Sequence, residues 1–327
     1  MSAASPSHTA RLADADGLTQ GEWFVVTSAS TDAEQAQGKR DAVEAALQAC
    51  VRRYRFVPAD GGIVAACERG AQLAAAEGGV LVAAGGDGTV NAAAQAALNH
   101  GCPLGVVPMG TFNLFAREHG MALEPADAVR GMAAGRLVPV QVGLVNARVF
   151  LVNAAVGLYP KLLEDREDAK RQIGLRTRWV AVAAGLVSLF GWHGRVTLDA
   201  EVDGRPVRMR TPSLFLCNNR VQLRRVGIDE ALVSSVGQGR LLALVAHRMD
   251  AWAKLKLLLR ALAGRLGDAD EVDAFGVHSL DAAIRFARRV KVSTDGEVQW
   301  MALPLRFRVS PKPLMVLLPP PQEAPPP

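Results

Sequence analysis

The stretch Val80–Asn91, VLVAAGGDGTVN, constrains this chain more than any other part of it. An apolar run from Val80 to Ala84 has strand character, Gly85, Gly86, Asp87, Gly88 and Thr89 follow, and an alanine-rich helical run extends from Val90 to about Asn99. A strand, a glycine turn and a helix in that order make a phosphate cradle. The glycines let the backbone approach a ligand closely, and the N–H groups and dipole at the helix start favour an anion. No Gly-Lys-Ser/Thr follows, which excludes the nucleotide-binding P-loop, and the glycine spacing excludes the dinucleotide fingerprint. Asp87 sets this loop apart. A carboxylate beside an anion site can hold a metal ion or take a proton, and a helix N-cap in a tight turn is the alternative.

The residues before this loop alternate between strand and helix patterns. Trp23–Thr27 reads as a strand, Thr31 and Asp32 as the start of a helix reaching about Cys50, Tyr54–Val57 as a strand and Ile63–Ala76 as a helix. The order β-α-β-α-β implies a parallel sheet covered by helices, with ligands bound outside the carboxyl ends of its strands. The unit repeats in strand Leu104–Pro108, the turn residues Gly110, Thr111 and Asn113, and a helical stretch Leu114–His119. Gly110-Thr111 is thus a second glycine turn at a second strand end. Thr111 offers a hydroxyl to a phosphate, and a plain turn is the alternative.

From about Leu137 the pattern changes. Val138–Val145 and Arg148–Val156 read as a hairpin across Asn146-Ala147. Lys161–Arg178 is dense in charge, and Trp179–Leu189 reads as a buried helix. Strand-like runs follow at Arg195–Val202, Val207–Arg210, Ser213–Asn218, Leu241–Val245, Ala283–Ala287, Val290–Ser293, Leu305–Val309 and Leu314–Leu318, with strong turn dipeptides at Asp203-Gly204 and Asp295-Gly296. This half reads as a β-rich, antiparallel, sandwich-like domain interrupted by a helix from Asp250 to about Leu266. That helix carries Trp252 and four leucines on one face and Lys254 and Arg265 opposite, a pattern that lies on a lipid interface or packs on a sheet.

Composition narrows the class. The 327 residues carry a formal net charge of +5, which suits an anionic ligand or an acidic membrane surface. Aromatic residues are 5% of the chain, which argues against nucleic-acid stacking platforms. Cys50, Cys67, Cys102 and Cys217 are scattered, as in a reduced, cytosolic protein. The polar N-terminus has no apolar signal segment, and no stretch reaches the roughly 20 apolar residues of a membrane span.

Three segments together resemble the lipid kinase family whose catalytic domain is shared by bacterial diacylglycerol kinases, YegS-like lipid kinases and eukaryotic sphingosine and ceramide kinases. Gly85–Asn91 is similar to the family's nucleotide loop. Pro108–Arg117 (PMGTFNLFAR) is similar to its second loop, GT-x-N-x-FAR. Asp295-Gly296-Glu297 is similar to its C-terminal DGE segment. GGDG also occurs in NAD kinases, a related fold, and the FAR and DGE segments favour the lipid branch. The resemblance implies an NAD-kinase-like α/β domain over 21–136 that binds nucleotide, to which a final strand at 312–319 is a candidate to return. It implies a β-rich acceptor domain over 137–311, between a disordered 1–20 and a proline-rich tail at 320–327.

The implied reaction is γ-phosphoryl transfer from ATP, with Mg²⁺, to a lipid hydroxyl in a cleft between the domains. Gly85, Gly86, Asp87, Gly88, Thr89, Val90, Asn91, Gly110 and Thr111 would hold the nucleotide. Glu297 would accept the hydroxyl proton, and Asp87 would assist. The implied setting is cytoplasmic, with peripheral contact at an anionic inner membrane face. A soluble-acceptor kinase and an inactive nucleotide- or lipid-binding relative are the alternatives. Two departures stand out. Val26–Ser30 replaces the family's first nucleotide loop. Gln238 and Arg240 stand where bacterial diacylglycerol kinases carry an Asp-Gly pair that helps hold a structural Mg²⁺, so no metal ligands are assigned. Asp229 and Glu230 are the nearest acids in sequence. The lipid and the oligomeric state are not legible.

Overall fold

A computed structural model of the chain describes residues 21–28, 33–51, 53–157, 196–211, 213–247, 272–284 and 287–320. The N-terminal segment, the helix start at Thr31 and Asp32, the charged run and helix between Lys161 and Leu189, the amphipathic helix Asp250–Leu266 and residues 321–327 lie outside these. The chain divides into two compact units, one formed by Met1–Val140 with Lys312–Pro327 and the other by Gln141–Pro311.

The first unit holds strands β1 (Trp23–Thr27), β2 (Tyr54–Phe56), β3 (Val80–Gly85), β4 (Leu104–Pro108) and β5 (Arg136–Val140), joined by the last strand of the chain, β18 (Leu314–Leu318). They form a six-stranded sheet in the order β2-β1-β3-β4-β18-β5, parallel except for β5. Its helices are α1 (Ala33–Cys50), α2 (Ile63–Glu77), α3 (Asp87–His100), α4 (Leu114–Glu118) and α5 (Pro125–Ala133). Every residue of β3 is buried, as a strand covered on both faces requires. Val43 and Leu47 of α1 join Trp23, Val25, Val80 and Val82 in one core, while α3 buries small residues, Ala92, Ala93, Ala94, Ala96 and Ala97. The strand order reverses between β1 and β3, the switch point at whose carboxyl ends such sheets bind ligands.

The second unit is antiparallel. Its strands are β6 (Gly143–Val145), β7 (Arg148–Phe150), β8 (Asn153–Gly157), β9 (Val196–Val202), β10 (Arg205–Thr211), β11 (Ser213–Cys217), β12 (Leu241–Ala246), β13 (Val272–Val277), β14 (Ser279–Ile284), β15 (Arg289–Thr294), β16 (Glu297–Ala302) and β17 (Leu305–Val309). Two short helices, α6 (Arg220–Arg225) and α7 (Glu230–Ser235), lie between β11 and β12. The strands form two six-stranded sheets, β10-β9-β14-β17-β6-β7 and β13-β12-β11-β8-β15-β16. Val145, Phe150, Leu280, Leu305 and Phe307 from the first share one core with Val156, Leu214, Leu241 and Val292 from the second, so this unit is a sandwich.

Several boundaries differ from the sequence reading. Val138–Val145 is not one strand. Its first part ends β5, which pairs with β18, and its last part is β6, which pairs with β17. The Asn146-Ala147 turn does join two strands, but Arg148–Val156 breaks at Leu151 and Val152, and β7 and β8 enter different sheets. The strand expected at Ala283–Ala287 lies at Ser279–Ile284 instead. Helix α3 begins at Asp87 rather than Val90, because Gly86 takes the extended conformation of an N-cap, so part of the glycine string is itself the first helical turn. The turn dipeptides behave as read. Asp203 and Gly204 have φ 48° and 80°, and Asp295 and Gly296 have φ 49° and 93°, the paired positive values of a tight hairpin turn.

Gly143 faces Phe150 across the β6–β7 pair, and a Cβ there would lie 2.2 Å from the ring. Gly143→Ala is expected to destabilise the second unit by about 1–3 kcal/mol through overpacking. Urea denaturation checks this, and an unshifted midpoint would mean the ring is not seated on the glycine.

Candidate active site

The two glycine loops meet because neighbouring parallel strands deliver them to the same sheet edge. Gly85 is paired with Pro108 at the ends of β3 and β4, and the Met109 N–H donates to Gly85 O at 2.9 Å. Beyond that point the backbones close up. A Cβ on Gly110 would lie 2.7 Å from the Cα of Gly86 and 2.9 Å from Asn113 Oδ1. Only glycine allows this approach. Gly85 is equally confined, since a Cβ there would lie 2.6 Å from Thr89.

Asp87 fastens the loops together. Its Oδ2 accepts the Asn113 N–H at 3.1 Å, and its Oδ1 accepts the Leu114 N–H at 3.0 Å. These donors open α4, so one carboxylate in the first turn of α3 also serves the start of a second helix. Asn113 adopts φ 48° and closes its own turn: its Oδ1 accepts the Gly110 N–H at 3.0 Å and its Nδ2 donates to Gly110 O at 3.1 Å. Arg117 Nε donates to Phe112 O at 2.9 Å, bracing the turn from its far side. Burial raises the Asp87 pKa above its ordinary value, while the N–H groups of Leu114 and Asn113, its own N–H and the Arg117 charge pull it back. Sequence reasoning found Asp87 and Asn113 but missed the backbone of Leu114 and the brace from Arg117, which a motif lists without explaining.

The other loop residues divide by burial. Thr89, Val90 and Asn91 are buried, whereas Thr111 is exposed. At the start of α3 the Val90 N–H donates to Gly86 O at 3.0 Å, and an α-helix leaves the N–H groups ahead of such a bond without backbone partners of its own. Next to them, the Ser28 N–H donates to Ala84 O at 3.1 Å, and Arg40 Nη2 donates to Ser28 O at 3.1 Å, which ties the end of β1 to β3 and α1.

Glu297 and Asp295 belong to the other unit. Glu297 opens β16, an edge strand, directly across the hairpin from Thr294. Its carboxylate is largely exposed and lies 3.5 Å from Arg148 Nη2. Asp295 is more than a turn residue. Its carboxylate accepts N–H groups from Leu151 at 2.7 Å, Val152 at 2.9 Å and Asn153 at 2.9 Å, and its own N–H donates to Asn153 O at 2.9 Å. It therefore pins the hairpin that carries Glu297 to the bend between β7 and β8.

Residues 23–145 match the family model of the diacylglycerol kinase catalytic domain. A Serratia proteamaculans protein named "Probable lipid kinase YegS-like" is 30% identical over 168 residues, covering 45% of this chain and 55% of the relative. A Pseudomonas aeruginosa protein of the same name is 39% identical over 93 residues, covering 28% of this chain and 30% of the relative. The chain spans about half the length of the first of these relatives and less of the second. The crystal structure of a diacylglycerol kinase from Bacillus anthracis superposes with a TM-score of 0.67 at 16% identity, covering 92% of this chain and 98% of the other, so the fold is shared over nearly the whole length.

The raised pKa of Asp87 has a signed consequence. In the unfolded chain the carboxyl titrates at its ordinary value, and in the fold it titrates higher. The folded form keeps the proton to higher pH, so the stability of the wild type relative to Asp87→Asn is greatest in acid and falls as pH rises through the raised pKa. Thermal unfolding of both proteins from the acid range to neutrality checks this, and a difference that grows with pH would show a carboxylate favoured by the fold.

Proposed function

We propose that this chain, which carries the diacylglycerol kinase catalytic domain, is an ATP-dependent lipid kinase that transfers the γ-phosphoryl group to a lipid hydroxyl. The observation that carries the reading is the closure of two glycine loops on one carboxylate at the carboxyl edge of a parallel sheet, beside a helix N-terminus. Phosphoryl transfer asks a protein mainly for positioning and charge stabilisation, and such a cradle suits that task.

In this reading Gly85, Gly86 and Gly88, the first-turn N–H groups of α3, and Gly110 with Thr111 hold the nucleotide phosphates. Asp87 acts chiefly by position, since both its oxygens already hold the second loop. Asp87 is the carboxylate among these loop residues that could hold a magnesium ion arriving on the phosphates, and its oxygens would then be shared with the Asn113 and Leu114 N–H groups. Magnesium, when bound, would neutralise phosphate charge. The acceptor oxygen attacks the γ-phosphorus, the bond from that phosphorus to the bridging oxygen breaks, and ADP leaves. Glu297 takes the proton from the acceptor hydroxyl, and Arg148 keeps its carboxylate oriented. We assign the reaction to the cytoplasmic face of a membrane with the chain bound peripherally. Among the described residues no helix is long and apolar enough to cross a membrane.

The test is incubation with Mg²⁺, γ-labelled ATP and a lipid panel containing diacylglycerol, a sphingoid base and phosphatidylglycerol. Label is expected in a lipid. Label confined to a water-soluble acceptor would favour the soluble-substrate alternative, and no transfer at all would defeat the kinase reading. Glu297→Gln should slow transfer by about 10²–10⁴ while leaving ATP binding intact. A near wild-type rate would remove Glu297 from the chemistry.

A further inference from the structure

The exposed turn between α7 and β12 contains Gly237 at φ 87° and Gly239 at φ 83°, on either side of Gln238. This is the stretch where the resemblance to bacterial diacylglycerol kinases leads one to expect a cation. A cation there would need oxygen donors, preferably carboxylates. The acids nearest in sequence are engaged elsewhere. Asp229 caps α7 by accepting the Ala231 N–H at 2.8 Å, and Glu230 pairs with Arg224. Among the described residues no cluster of His, Cys, Asp and Glu could hold a metal.

The turn has a different anchor. Gln141, the first residue of the second unit, reaches it with its carboxamide. Its Oε1 accepts the Gly239 N–H at 2.7 Å, and its Nε2 donates to Arg240 O at 3.0 Å and to Asn218 Oδ1 at 2.7 Å. His278 Nδ1 lies 2.8 Å from Gly239 O, which can only accept, so that nitrogen carries the proton. The His278 backbone is itself fixed, since its main-chain N–H donates to Asp203 Oδ1 at 2.7 Å. Asn218 completes the node by donating to Gln141 O and Leu151 O, each at 3.2 Å. The carbonyls of Gly239 and Arg240 accept from His278 and Gln141.

We infer that the Gln141 carboxamide, with His278, does in this chain the work of a structural cation, so that the second unit is built without a metal at this turn. One amide supplies an acceptor for an N–H and donors for a carbonyl and a side chain. A cation can meet only the oxygens. The inference stands independently of the kinase reading, because it concerns stability.

The experiment is thermal unfolding of the full chain with EDTA and with added Mg²⁺, for the wild type, Gln141→Ala and His278→Ala. The wild-type midpoint is expected to be the same in both solutions. Gln141→Ala is expected to fall by about 4–8 °C, and His278→Ala by less, as a loss of hydrogen bonds would produce. An EDTA-induced fall in the wild-type midpoint that Mg²⁺ reverses would overturn the inference, and so would an unchanged midpoint in Gln141→Ala. If Gln141→Ala does not fold, the wild-type and His278→Ala arms still decide.

Discussion

Two hydrogen bonds from the start of one helix to the first turn of another hold the candidate site in shape. Asp87 receives the N–H groups of Asn113 and Leu114, and this allows the chain to pass Gly86 against Gly110. Both helix starts present unsatisfied donors, and one carboxylate serves both. The arrangement carries a cost, because burial works against the charge on Asp87, and the N–H groups only partly offset it. The same carboxyl fixes the loop geometry through its two bonds to the second loop, and the proposed phosphate site depends on that geometry.

The second unit follows the same logic with different chemistry. Asp295 gathers three consecutive N–H groups at the bend between β7 and β8, and so sets the hairpin from which Glu297 projects. Gln141 gathers a turn, a carbonyl and an asparagine at the point where the chain enters the unit. In each case one side chain organises backbone groups far away in sequence. Glu297, beside the Asp295 turn, and Thr111, beside the Asn113 turn, are both exposed.

What the sequence made legible was local. The buried run of β3, the alternation of strand and helix through the first ninety or so residues, and the paired turns at Asp203 and Asp295 could be read because neighbouring residues specify them. The glycine loops were legible as loops. Their contact was not, since the Asp87 bonds span 26 and 27 residues. The junction at Val140 and Gln141 was hidden because the stretch stays apolar on both sides of it, for two different sheets. Strands β13 and β16 escaped notice because VDAFGV and EVQWMA mix charged with apolar residues at a sheet edge. Asp295 could be read as a turn residue but not as an anchor, because its partners lie 142 to 144 residues away.

The most direct test of the central claim, that the closed pair of glycine loops is a nucleotide phosphate site, is calorimetric titration of ATP into the wild type and into Gly110→Ala. A Cβ at Gly110 would meet Gly86 and Asn113 and force the loops apart. The wild type is expected to bind ATP, and the variant, still unfolding cooperatively, to bind at least about tenfold more weakly, a difference of about 1.4 kcal/mol. Equal affinity in the two proteins would contradict the account.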